Sequence, residues 1–510
     1  MTTTAKAEAA PAWPNLTWPW AALTLVLFVT GAVMTALSRT DVDVAWLLTL
    51  GEKMLAGQRP YIDMFEANPP MSILLYLPAV LAGQALSVSP DTMVKVLVLA
   101  ACAASLALCA RIVAPLAPGR ANMWKLAAAG AFVLTVLPTG VFAQREHIAV
   151  AAMLPFLAAT VVRGEGPRSA LWALVLAGIG CGLAMATKPH FALVAGGALL
   201  VTAWRMRSIR PLVAPEVWAA SAVVGLYALV VVIFFPAFLS FLPVIRATYL
   251  PVRQPLAMLL LWPPAVSWLI LSALAVLVAR ARPGAGWPAA SLLAASAGGF
   301  ASYLIQGKGW PYHSYPMLAL AGLALGAAAV LGAPAIAAAD ETLGRRAARI
   351  GVICAGLVLA IGAAAASMRW FTLKGDYHAL NAPVEAIAAR PRLLAITADI
   401  AVGHPLTREL HGAWVGSVCS QWISAGALTL EHRGGLSPAQ RARLEGLMAL
   451  DRRLLTHDIV VGRPDVILIS TNRDWVGWAM SDPALAAALN TYRPVETVQG
   501  VAIWARKPLG

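Results

Sequence analysis

The sequence predicts an all-α polytopic membrane bundle of about 11–13 transmembrane helices, followed by a small C-terminal periplasmic α/β domain. Three observations carry that expectation. Hydrophobic residues make up 60% of the 510-residue chain and charged residues 12%, where a soluble domain runs nearer half apolar and a quarter charged. Apolar runs long enough to span a bilayer recur until about residue 370. They are rich in Ala, Leu, Gly and Val, which suits helices that satisfy their own backbone groups in hydrocarbon. Lys and Arg, finally, concentrate in alternate loops, the bias expected on the cytoplasmic side of a membrane.

Taken in order, residues 1–17 are polar and Pro/Ala-rich and read as a disordered cytoplasmic N-terminus. The run at 18–37 is long enough to persist as a helix, so no cleaved signal peptide is expected. A polar first external loop, 38–70, contains an amphipathic segment at 44–56. Further runs lie at 71–88, 93–113, 124–142, 148–162, 171–187, 191–204, 217–239, 256–279, 289–306, 317–332 and 350–368. These place a transmembrane domain at 18–370. The remaining 371–510 read as a soluble α/β domain, with strands at 392–397, 465–470 and 498–506 and an Arg-rich helix at 438–454.

Loop charge sets sidedness. Arg111/Arg120/Lys125, Arg163/Arg168, Arg205/Arg207/Arg210, Arg280/Arg282 and Arg345/Arg346/Arg349 mark cytoplasmic loops. The other face then holds 144–147, 188–190, 246–253, 307–313 and the C-terminal domain. A cytoplasmic N-terminus puts the 38–70 loop outside, and the three runs that follow it would then put Arg145 inside, on the wrong side. Either one run between 71 and 142 does not cross, or one conceals a broken pair of helices.

A net charge of +14 could indicate nucleic acid, but the basic residues are scattered over many loops, so no nucleic-acid partner is expected. Cys102, Cys109, Cys181, Cys354 and Cys419 form no CxxC pair, which supports neither a disulfide framework nor a zinc site.

Candidate chemistry lies in the outer loops. Thr40-Asp41-Val42-Asp43 follows the first helix directly. A carboxylate there can act as general base on a hydroxyl, or simply favour a helix N-terminus. Tyr61 and Glu66 belong to the same loop. Gln144-Arg145-Glu146-His147 is costly between two apolar runs unless it lines a hydrated cavity or pairs internally, with an Arg145–Glu146 pair as the plain alternative. Lys188 and His190 sit at a helix mouth, where a Lys can meet phosphate or snorkel. Gly307-Lys308-Gly309-Trp310-Pro311-Tyr312-His313 offers cations for phosphate and rings for a sugar, or an interfacial aromatic belt. Arg246 and Arg253 are weaker candidates.

The first external loop resembles that of the C-type glycosyltransferases, such as aminoarabinose transferases and bacterial protein O-mannosyltransferase-like enzymes. Asp43, Glu52, Met54, Leu55, Gly57, Pro69 and Pro70 match in order the acid after the first helix, the "E-M-L-x-G" and the "K-P-P" opening the second. Ala186-Thr187-Lys188-Pro189 is similar to the family's "T-K-G/P". Val44 stands where relatives often carry a second acid, and Asn68 replaces the Lys before the double proline. The resemblance is firmest over about 20–200. It implies an inner-membrane enzyme that moves a monosaccharide, with inversion, from a polyprenyl-phosphate donor to a periplasmic glycan, lipid or protein. Asp43 or Asp41 would be the base. Lys188, Arg145, Lys308 and His313 would meet the donor phosphate. Glu146, His147, His190, Trp310, Tyr312, Tyr61 and Glu66 would contact substrate. No cofactor is implied; Asp41-Val42-Asp43 is formally a D-x-D, a pattern that also holds divalent metal, but the resemblance favours a metal-independent site. The rival reading is a transporter or flippase for a lipid-linked or polar substrate, although the repeat symmetry of many transporters is not visible.

Overall fold

In the computed structural model, the described residues are 17–116, 119–166, 169–332, 343–373 and 375–508. Residues 1–16, on which the expectation of a disordered tail rests, and Arg168 lie outside them.

Among the described residues, eight helices are long and apolar enough to cross a membrane. The chain enters through α1 (Trp18–Leu37) and turns at Ser38 into α2 (Val42–Leu55). Asp41 starts α2 as its N-cap, accepting from the backbone N–H of Asp43 at 3.0 Å and of Val44 at 3.4 Å; such a cap is worth about 0.5–2 kcal/mol. An amphipathic helix was expected here. Instead every residue from Val44 to Gly51 is buried, because the bundle covers one side of α2 and the C-terminal domain the other.

The next two helices, α3 (Met71–Leu74) and α4 (Leu77–Leu86), correct the expectation of a crossing at 71–88. The Met71 N–H donates to the Tyr227 hydroxyl at 3.0 Å. At the far end, the loop leads into α5 (Pro90–Val113), whose Asp91 binds Arg408 of the C-terminal domain and whose Lys95 donates to the Ser38 carbonyl. Both ends of the segment therefore lie on the same face, packed along α2. Apolar composition reported burial here, and protein rather than lipid provides it.

From there the helices alternate: α5 goes across, α6 (Arg120–Ala131) returns and continues through a π turn at Phe132–Val136, and α7 (Arg145–Glu165), α8 (Leu171–Thr187), α9 (Phe191–Met206) and α10 (Pro215–Phe234) follow. Short helices α11 (Pro236–Val244) and α12 (Leu256–Leu261) flank a π turn, Ile245–Tyr249, on the outer face. Crossings resume with α13 (Pro263–Ala281), α14 (Gly286–Gln306), α15 (Pro311–Leu331) and α16 (Leu343–Phe371). Among the described residues, α1, α5 to α10 and α13 to α16 form the helical bundle, and eight of these helices are long and apolar enough to cross a membrane. With 71–88 not counted as a crossing, the conflict in the expected sidedness does not arise. The basic loops gather at the far end, where Arg163 grips buried Glu216 with contacts of 2.6–2.9 Å and Arg205 pairs with Glu165 at 3.1 Å.

The C-terminal domain builds a five-stranded sheet in the order β2-β1-β3-β5-β4, from β1 (Arg392–Ile396), β2 (Ala413–Trp414), β3 (Val466–Ser470), β4 (Tyr492–Val498) and β5 (Val501–Arg506). The first three strands run parallel and the last two form a hairpin through Gln499 and Gly500, both at positive φ. All five residues of β3 are buried, as a central strand covered on both faces must be. After the short α17 (Asn381–Ile387) and α18 (Leu406–Glu409), helices α19 (Trp422–Arg433) and α20 (Pro438–Gly462) complete the face nearest the bundle. Arg408 fastens this domain to Glu52 of α2 at 2.7 and 2.9 Å, and Arg39 binds Glu409 at 2.6 Å.

Candidate active site

Four loops distant in sequence meet where α2, the outer ends of α7, α8, α14 and α15, and the C-terminal domain converge. A cavity of about 270 Å³ opens there. Asp43, Trp46 and Glu66 line one side, Tyr249, Lys308 and Trp310 another, and Cys419, Ser420 and Trp422 of the C-terminal domain a third.

The two acids of the first loop have separate fates. The Asp41 carboxylate is committed to the α2 N-cap and accepts from the Gln144 side-chain amide. Asp43, the second residue of the helix, faces the cavity. It accepts from Gln144 Nε2 at 3.1 Å and lies 3.5 Å from Arg145 Nη2. Burial pushes the Asp43 carboxyl up from its ordinary value, while Arg145 and the Gln144 hydrogen bond pull it down.

The polar tetrad at 144–147 is held by an irregular turn. Ala143 adopts φ 62°, a conformation costly for a residue with a Cβ. Its N–H donates to His147 Nδ1 at 3.1 Å and its carbonyl accepts from Tyr76 at 2.8 Å. His147 Nε2 is 2.7 Å from the Leu134 carbonyl. Both ring nitrogens of His147 are thus occupied within the bundle, so the expected substrate contact is corrected to a brace for the turn. The turn aims Arg145 at Asp43 and, at 3.9 Å, at Glu66. Arg145 is 1% exposed, and its Nε and Nη1 have no hydrogen-bond partner among the described residues.

Arg145 and Glu146 do not pair with each other. Glu146 pairs with Lys188, whose ammonium also meets Gln306 Oε1 at 3.3 Å and His313 Nε2 at 3.4 Å. Lys188, Glu146 and His313 stand behind the cavity wall; Tyr312 lies between, its ring centroid 5.3 Å from the Lys188 ammonium. His190 is half-buried at the turn beside Lys188 and Gln306, outside the cavity lining. Tyr61 is also outside it: its hydroxyl donates to the Asn68 carbonyl at 2.6 Å and its ring packs on Phe238. Glu66 accepts from Trp46 Nε1 at 2.7 Å and from the Asn68 N–H at 3.0 Å.

Lys308 and Arg253 are the cations that line the cavity itself. Lys308 donates to the carbonyls of Tyr249 and Val252 and lies 4.3 Å from the centre of the Tyr249 ring. Burial, with Arg253 and Arg433 nearby, brings its ammonium down to about 8. Arg246 is exposed. Among the described residues no three His, Cys, Asp or Glu side chains gather as metal ligands.

Several lining residues carried no recognisable signal in the sequence. Tyr249 lay within a loop flagged only for its arginines. Cys419, Ser420 and Trp422 belong to a loop that only the folded C-terminal domain brings to the membrane face.

No family model matches the chain, and no curated protein does. Solved structures do. ArnT from Cupriavidus metallidurans bound to undecaprenyl phosphate aligns over 96% of this chain and 98% of its own, with a TM-score of 0.56 and 16% identity. The oligosaccharyltransferase AglB from Archaeoglobus fulgidus, in complex with an inhibitory peptide and a dolichol-phosphate, aligns over 95% of this chain and 74% of its own, at a TM-score of 0.43 and 14% identity. In fold, this multi-pass membrane chain is similar to ArnT over nearly the whole of both chains.

Proposed function

We propose that the chain is an inner-membrane glycosyltransferase that moves a monosaccharide from a polyprenyl-phosphate donor to a periplasmic glycan, lipid or protein hydroxyl. The observation that carries this reading is the placement of Asp43. It is a half-buried, cavity-facing carboxylate held by Arg145 and Gln144, at the membrane face opposite the basic loops, in a fold shared with a protein solved with undecaprenyl phosphate.

The chemistry is one displacement. The acceptor oxygen bonds to the anomeric carbon while the bond from that carbon to the phosphate oxygen breaks, with inversion. Asp43 takes the hydroxyl proton, and the polyprenyl phosphate leaves with the electron pair. Charge growing on that phosphate is met by Lys308 and Arg253 in the cavity and by the unspent donors of Arg145, groups that act most strongly where water is excluded. Lys188 and His313 support the site from behind, through Glu146. Trp310, Tyr249 and Tyr312 provide ring faces for the sugar. A lipid donor fits the architecture, because its chain stays in hydrocarbon while its phosphate reaches the outer face.

The test is lipid analysis of a deletion strain. A polyprenyl-phosphate sugar should accumulate, and the purified protein should consume that lipid when acceptor-containing envelope material is added. Unchanged polyprenyl lipids in the deletion strain would contradict the reading.

A further inference from the structure

Gln144 is fully buried at the N-cap of α7, and its side chain does not cap that helix. Its amide instead reaches α2. Nε2 donates to Oδ1 of Asp41 and, at 3.1 Å, to Oδ2 of Asp43. The orientation is dictated by chemistry: the NH₂ end carries two donors, one for each carboxylate, whereas a flipped amide would turn its carbonyl toward two acids. Oε1 has no hydrogen-bond partner among the described residues, so the side chain is fixed entirely through the acids. Two carboxylates two residues apart would otherwise repel one another, and each would favour the protonated form of the other.

We infer that Gln144 is a positioning residue for Asp43: its amide clamps the acid pair, keeps Asp43 aimed into the cavity and holds it in the proton-accepting form. This inference rests on Asp43 being the base of the proposed transfer. The other charged and titratable groups facing Asp43 are Asp41 on its own helix, Glu66 from the same loop, Arg145 and Glu146 from α7, Lys188 beyond α8, Tyr249 from the π turn and Tyr312 from α15. Loss of a hydrogen bond to the charged form raises a carboxylic acid's pKa, and a base works only when deprotonated. The acid limb of the rate profile therefore moves to higher pH.

The experiment compares kcat and KM against pH for wild type, Gln144→Met and Gln144→Asn, using the polyprenyl-phosphate sugar that the deletion strain accumulates. Gln144→Met keeps the length without a donor; Gln144→Asn keeps a donor one methylene too short to bridge both acids. Each is expected to shift the acid limb of kcat upward by about one pH unit, so that the rate falls by up to about tenfold below the wild-type limb and is recovered above the shifted one, and to leave KM for the donor lipid within about twofold. A limb in the wild-type position in the purified, folded variants overturns the assignment, since a purely structural role lowers the yield of folded protein without moving the limb. If the wild-type protein transfers nothing from that lipid, the base reading falls and takes this inference with it.

Discussion

Nη2 of Arg145 lies 3.5 Å from Oδ1 of Asp43, joining two segments about a hundred residues apart across the entrance to the bundle. Arg145 is almost wholly buried and its remaining donors are unspent. The pair therefore couples the acid that would take a proton to a cation that can follow charge onto a departing phosphate. The neighbouring cations divide into two groups. Lys188 is neutralised by Glu146, whereas Lys308 and Arg253 face the cavity with no carboxylate within ion-pair distance among the described residues.

That division predicts where a lipid phosphate binds. Lys308→Ala and Arg253→Ala should each weaken binding of undecaprenyl phosphate by about ten- to a hundredfold, the worth of a charge-assisted contact, and each should flatten its salt dependence. Titration calorimetry or native mass spectrometry in detergent reads this directly. Equal affinity in both variants would move the phosphate elsewhere.

The Lys308 ammonium adds a pH dependence. With its pKa lowered to about 8 by burial and by Arg253 and Arg433, it is charged below that pH and loses its charge above it. Affinity for undecaprenyl phosphate should therefore be steady to about pH 7.5 and fall between about pH 8 and 9.5. Lys308→Arg, which stays protonated, should remove that fall; a decline of the same size in the Arg variant would assign it to another group.

Lys188 should behave as part of a buried ion pair. Lys188→Met leaves Glu146 without its partner and should destabilise the folded protein by about 3–5 kcal/mol, visible as a lower Tm. The double variant Lys188→Met/Glu146→Gln should recover most of that loss. A single variant with unchanged Tm and weakened undecaprenyl phosphate binding would return Lys188 to the phosphate site.

Much of this was legible in the sequence because the physics is local. Asp43, Arg145 and Lys308 stand out since charge beside hydrocarbon is expensive, and the alternation of basic loops placed the outer segments together. What remained hidden depends on distant partners. The run at 71–88 looks like a crossing because composition cannot distinguish lipid from protein as the apolar neighbour. His147 reads as a pocket residue until the left-handed turn at Ala143 gives it a backbone to hold. The partner of Lys188, Glu146, is 42 residues earlier, beyond any spacing rule. Strand β2 has only two residues, and β4 is mostly exposed, with Pro494 at a register shift, so neither carries an apolar alternation.

Sidedness offers an independent check. In a Cys-free background, single cysteines at Gln58, Trp310 and Arg473, all exposed on the face of the cavity and C-terminal domain, should react with an impermeant thiol reagent in intact spheroplasts. A cysteine at exposed Arg207 should react only after the membrane is opened. Labelling of Gln58 and Trp310 from opposite sides would separate Asp43 from Lys308 and dissolve the shared site.

The central claim, that Asp43 is the base for transfer from a polyprenyl-phosphate sugar, meets its most direct test in the transfer rate of purified Asp43→Asn beside Asp41→Asn. Removing a general base costs about 10²–10⁴-fold, so Asp43→Asn should bind undecaprenyl phosphate as wild type does and transfer at a rate lower by that factor. Asp41→Asn retains a competent helix N-cap and should keep most of the rate. Wild-type transfer by Asp43→Asn, or a large loss confined to Asp41→Asn, would contradict the account.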